Sequence, residues 1–187
     1  MPMAQRPPPV LMTMRILWGA LLGVSLVAPA IGFFARQPEN KPIAVLPIAL
    51  GVASLIELGI SQFWVAQQAR IALQRAAFAV TDVPDPNVVA GFYREQVPTI
   101  RVFADPDAVE KRLFIIYQTS FILRLALRES IAMYAVVLGT LGHPVEQVVP
   151  FAAVAFVSIA IEFPTRERVI RVVERAYGAR MVAPTTA

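Results

Sequence analysis

The sequence predicts an all-α integral membrane protein with four transmembrane helices in two hairpins. Three observations carry this. The 187 residues are 57% hydrophobic and only 16% charged, a balance at which a soluble domain aggregates. Four apolar runs, at about 16–34, 43–65, 113–142 and 146–163, have roughly the ~20-residue length that a helix needs to cross a bilayer. The basic residues also divide unevenly. The 35–42 link holds only Arg36 and Lys41 and the 142–146 turn holds none, whereas Arg70, Arg75, Arg94, Arg101, Lys111 and Arg112 lie in the middle segment and Arg166, Arg168, Arg171, Arg175 and Arg180 in the C-terminal one. That asymmetry places both termini in the cytoplasm of a multi-pass protein of a bacterial inner (plasma) membrane.

Composition also excludes. The chain has no cysteine and one histidine, so a thiolate cluster, a disulfide and a multi-histidine metal centre are ruled out, and no metal or cofactor is expected. The net charge of +4 comes from arginine. No basic stripe interleaves with aromatics, so the arginines point to anionic lipid headgroups and not to nucleic acid.

In chain order, residues 1–14 carry Pro7-Pro8-Pro9 and read as a non-helical tail. The first span holds Gly19 and Gly23 in a GxxxG pattern, which lets a second helix approach closely, within the bundle or between copies of the chain. Val27-Ala28-Pro29-Ala30 matches a signal-peptidase site, but the apolar run continues past it and the helix is read as retained. In the second span Pro47 lies in the first turn, where proline is tolerated. Residues 66–112 form a cytoplasmic connection that starts as an amphipathic helix and is too small for a core of its own. Asp105-Pro106-Asp107 is a helix start, with Asp as N-cap and Pro at N1. Gly142-His143-Pro144 is a tight turn in which His143 reads as a plain turn residue. After Pro164, Thr165 can cap a basic helix over 165–178 that Gly178 ends. Its valines lie on one face and Arg166, Arg168, Arg171 and Arg175 on the other, so it is expected to lie on anionic lipid in the membrane plane.

The candidate site is an intramembrane charge cluster of Glu57, Arg124, Arg128, Glu129 and Glu162. A charge at mid-bilayer costs at least ~2.5–3.5 kcal/mol, so such groups pair, line water or reach an interface. At ~1.5 Å per residue, Glu57, Arg128 and Glu129 share a depth and Arg124 and Glu162 lie just below. One reading is an ion-pair network that fixes helix packing, with Glu57 paired to Arg128. A second is a left-over carboxylate that exchanges a proton or cation. A third is an anionic lipid site between the spans. No catalytic residues are expected: Ser130 lacks a nucleophile elbow and His143 an orienting acid.

Two resemblances add expectations. Leu125-Ala126-Leu127-Arg128-Glu129-Ser130-Ile131-Ala132-Met133-Tyr134, followed by Phe163-Pro164-Thr165-Arg166-Glu167-Arg168, resembles a group of small bacterial four-span membrane proteins with no assigned function, which implies class and topology. Ala35-Arg36-Gln37-Pro38-Glu39, with Glu57 beyond it, and the segment around Glu129 are similar to the c subunit of rotary ATP synthases. That resemblance implies an ion- or proton-translocating subunit using Glu57 and Glu129. The first span lacks that family's dense glycine repeat, and the arginine count puts Arg36 on the opposite side from the family's polar loop. The reading as a whole is a non-enzymatic membrane protein that acts by helix association with lipid, a second copy or another membrane protein. Ion translocation is its alternative.

Overall fold

Residues 9–36, 42–85 and 99–181 are described by a computed structural model, in which 77% of the residues are helical. The helix α1 (Pro9–Phe34) begins at a proline, whose missing N–H costs nothing in a first turn. Residues 9–14 are therefore helical, and Leu11 and Met14 are buried, which corrects the expected tail; residues 1–8 lie outside the described part. Next come α2 (Leu46–Gly59), a π-helical turn (Ile60–Trp64) and α3 (Val65–Ala76), one uninterrupted helix over Leu46–Ala76. Two strands follow, β1 (Val80–Pro84) and β2 (Thr99–Phe103). The longest helix is α4 (Pro106–Thr140), and α5 (Val145–Ala160) and α6 (Arg166–Tyr177) complete the order. Two helices, Pro9–Phe34 and Leu46–Ala76, are long and apolar enough to cross a membrane. The apolar half of α4 carries Arg124, Arg128 and Glu129, and α5 is apolar but has only 16 residues.

The strands correct the all-α expectation. Val80, Val83, Ile100 and Val102 supply β-branched residues, and β1 pairs antiparallel with β2 from Val80↔Phe103 to Pro84↔Thr99. Proline at the end of β1 removes no interior ladder bond.

Local signals set the helix ends. The Ala108 amide donates to Asp105 Oδ1 at 2.9 Å and the Arg168 amide to Thr165 Oγ1 at 3.2 Å, both N-caps. Gly178 closes α6 in the left-handed region at φ 60°.

The chain divides into two compact units. The first takes the described residues up to Gln68 together with Gln118–Pro164. Ala135, Leu138 and Val148 form one buried cluster there, with Phe33, Leu46 and Leu50 packed on it, and Ile131, Ala132 and Ala155 form another with Leu58 and Phe151. Segments of α1, α2, α4 and α5 thus share this interior. Glycine matters where α1 meets α4: a Cβ on Gly32 would lie 2.8 Å from the Val136 carbonyl oxygen, and one on Gly139 3.1 Å from the Gly32 carbonyl carbon. Gly19 and Gly23 have open space around them, so the expected packing of that GxxxG pair inside the bundle is not formed.

The second unit takes Ala69–Tyr117 and the described residues from Thr165 on. Leu73, Val109, Leu113, Val169 and Val173 are buried in it. Phe78, Phe103 and Tyr177 pack ring on ring, with centroids 5.5–6.2 Å apart. The Tyr177 hydroxyl donates to the Leu73 carbonyl at 2.6 Å and accepts from the Phe78 amide at 3.3 Å. Arg180 then bridges to β2, donating to the Arg101 carbonyl and accepting from the Phe103 amide. The 66–112 segment therefore does not build its interior alone: the C-terminal helix supplies part of it.

Candidate functional site

All five residues of the predicted charge cluster lie in the first unit, and α4 sorts them onto different faces. On one face Arg128, fully buried, donates to Glu162 Oε1 at 2.8 Å and also to the Ser158 carbonyl. Arg124 approaches Glu162 Oε2 at 3.9 Å. Glu162 follows the last turn of α5, so its carboxylate meets two arginines one turn apart on α4. This corrects the Glu57–Arg128 pairing expected from depth. Depth counts residues along one helix, whereas an arginine side chain spans about a turn, ~5.4 Å, and takes the partner on its own face. The Arg128 guanidinium, a planar fork of donors, uses the carboxylate and the free carbonyl near the end of α5 together.

On another face Glu57 meets hydroxyls. Tyr134 Oη donates to Glu57 Oε1 at 2.6 Å, and Ser130 Oγ lies 2.7 Å from Glu57 Oε2. Ser130 and Tyr134 are four residues apart and so share one side of α4. Ser130 Oγ is also 2.7 Å from the Leu127 carbonyl. Glu57, Ser130 and Tyr134 are each half-buried. The sequence placed Ser130 and Tyr134 in the segments of resemblance but did not put either beside Glu57. Their i, i+4 spacing opposite a lone acid was the signal available.

Glu129 stands apart from both groups. Its two carboxylate oxygens are buried with no hydrogen-bond partner among the described residues, and the same holds for Ser61 Oγ in the π turn.

His143 is not a plain turn residue. It is 1% exposed, its Nδ1 lies 2.8 Å from Gln147 Oε1, and its amide donates to the Leu138 carbonyl. Arg36 donates to the Gly142 carbonyl at 3.0 Å beside it. At the other end of α1, Trp18 Nε1 donates to the Ile159 carbonyl at 2.8 Å, Arg15 donates to the Pro164 carbonyl, and Trp18 and Arg15 both pack on the Phe163 ring.

The basic helix α6 lies in the second unit. Val169 and Val173 are fully buried, so these two valines of its apolar face pack in the protein interior and are not free to enter lipid, while Val172 is half-buried and Ala176 exposed. Arg166 forms a two-pronged pair with Glu110 at 2.7 Å on each prong. That bond holds the Arg166 guanidinium above its usual range, with burial acting the other way. Arg168, Arg171 and Arg175 remain exposed.

Among the described residues no group of three or more histidine, aspartate or glutamate side chains could hold a metal ion. Comparison with protein-family models, with curated proteins and with solved structures finds no match for this chain.

Proposed function

We propose that the chain is a non-enzymatic four-span protein of a bacterial inner membrane, with both termini cytoplasmic, acting by helix association with lipid, a second copy or another membrane protein. The observation that carries this reading is the direction of its side chains. In the first unit large apolar residues point outward on every helix, among them Ile31, Leu55, Phe63, Met133, Val137, Val149 and Val157, while the charges of α4 turn inward. A surface that is apolar outside and ionic inside suits a hydrocarbon solvent and is costly in water. The open Gly19–Gly23 face offers a place for a second helix. The exposed Arg168, Arg171 and Arg175 suit anionic headgroups by charge, since Val169 and Val173 are committed to the interior.

The test is sidedness. Single cysteines replacing exposed Thr81 and exposed Glu146 should react with an impermeant thiol reagent from opposite sides of sealed vesicles. Same-side reaction would reject the four-span topology.

A second reading, an ion- or proton-translocating subunit, is favoured by one observation: among the described residues neither Glu57 nor Glu129 is met by an arginine, because Arg124 and Arg128 turn to Glu162.

A further inference from the structure

Around Glu57 there are fewer protons than contacts. Three short oxygen–oxygen contacts link four residues: Tyr134 Oη to Glu57 Oε1 at 2.6 Å, Ser130 Oγ to Glu57 Oε2 at 2.7 Å, and Ser130 Oγ to the Leu127 carbonyl at 2.7 Å. The carboxylate and the carbonyl only accept, and each hydroxyl has one proton to give. Tyr134 closes the first contact. The Ser130 proton closes either the second or the third, and the remaining pair of oxygens lies 2.7 Å apart with no proton from either group to share. One more positive charge completes the arrangement. As a proton on Glu57 Oε2 it lets that oxygen donate to Ser130 while Ser130 donates to Leu127. As a small cation it binds the same oxygens through their lone pairs.

We propose that Glu57, Ser130 and Tyr134 form a site for one exchangeable monovalent cation, a proton or an alkali-metal ion. Three further observations converge on it. No arginine or lysine pairs with Glu57 among the described residues, and in the four-span reading, on which this step rests, an uncompensated carboxylate is costly. The π turn begins at Ile60, three residues beyond Glu57; such turns interrupt the regular backbone pairing of a helix and recur at functional sites. Within it Ser61, fully buried, holds a hydroxyl oxygen with no partner, a further oxygen one turn along the same helix. Glu57, Ser130 and Tyr134 are each half-buried, so none of the three is sealed inside the bundle. Tyr134 is the titratable group in contact with Glu57; Arg124, Arg128 and Glu129 lie on other faces of α4, and Glu162 follows α5.

The test is site-resolved labelling of the full-length protein in lipid vesicles with dicyclohexylcarbodiimide, which attacks protonated carboxyls, read by peptide mass spectrometry. Labelling is followed over a pH series with sodium, potassium or choline as the added cation. The expected result is labelling of Glu57 that falls as pH rises. Suppression by sodium or potassium but not choline at fixed pH identifies an alkali-metal ion; equal labelling in all three identifies a proton. Tyr134→Phe removes one partner of the carboxylate. It should move the labelling midpoint to higher pH, or raise the half-protecting salt concentration, by about tenfold in either ion, the scale of one lost hydrogen bond to a charged group. Absence of labelling at Glu57, or a profile equal to that of exposed Glu146 and indifferent to cation and to Tyr134→Phe, overturns the proposal. Failure here with opposite-side reaction of the Thr81 and Glu146 cysteines rejects the site alone. Labelling as expected with same-side cysteines rejects the span reading alone.

Discussion

Arg128 is the largest fully buried side chain among the described residues, and its energetics depend on one carboxylate. Desolvating a guanidinium costs several kcal/mol, which only a close counter-ion with further hydrogen bonds offsets. Glu162 and the Ser158 carbonyl supply both. Arg128→Gln should remove the 2.8 Å partner of Glu162 Oε1 and destabilise by about 3–5 kcal/mol. Glu162→Gln should do comparable damage, and the double variant should cost clearly less than the sum. Thermal unfolding in detergent reads all three, and additive losses would mean the two groups do not act as a pair. Glu57→Gln should be milder, about 1–2 kcal/mol, because the amide oxygen still accepts one of the two hydroxyls.

At the scale of elements, two kinds of glycine on one helix behave oppositely. Gly32 is where the backbones of α1 and α4 come together, and even a methyl group there meets the Val136 carbonyl oxygen at 2.8 Å. Gly32→Ala should destabilise by about 1–3 kcal/mol through overpacking, in spite of alanine's better helix propensity. Gly19→Ala and Gly23→Ala meet no atom and should leave the melting temperature of the isolated chain unchanged or slightly raised. The bulkier pair Gly19→Leu with Gly23→Leu should leave that fold equally intact while lowering any self-association in lipid, measured by energy transfer between labelled copies. Equal effects at Gly19 and Gly32 on melting would contradict this division.

Over the whole molecule, the C-terminal segment belongs to the interior of the second unit. Val169, Val173 and Tyr177 lie among residues contributed by 69–117, and Arg180 adds a bridge to β2. Ending the chain after Pro164 strips the Phe78–Phe103 pair of its third ring and leaves the Leu73 carbonyl and the Phe78 amide without their protein partner. Hydrogen exchange should then accelerate across 80–84 and 99–103, while the Arg128–Glu162 region, complete before residue 165, keeps its protection. Unchanged exchange in both strands would show that the second unit holds together without α6.

Sequence alone determined the helical character of the four apolar runs and the local stops and starts, because those depend on neighbours within a few residues. Asp105 and Thr165 cap, Gly178 ends α6, and the turn at Gly142 separates α4 from α5. It also located the charged residues inside α4. The strands were missed because Val80–Pro84 and Thr99–Phe103 are five residues each and gain their ladder only from a partner across a long connection. Tertiary structure decided which glycine is crowded, which carboxylate Arg128 takes, and that Glu57 faces Ser130 and Tyr134. It also turned Val169 and Val173 of α6 inward. Each of these depends on the rotation of one helix about its axis relative to another. A residue count gives depth along a helix but leaves that angle open, and side-chain packing sets it.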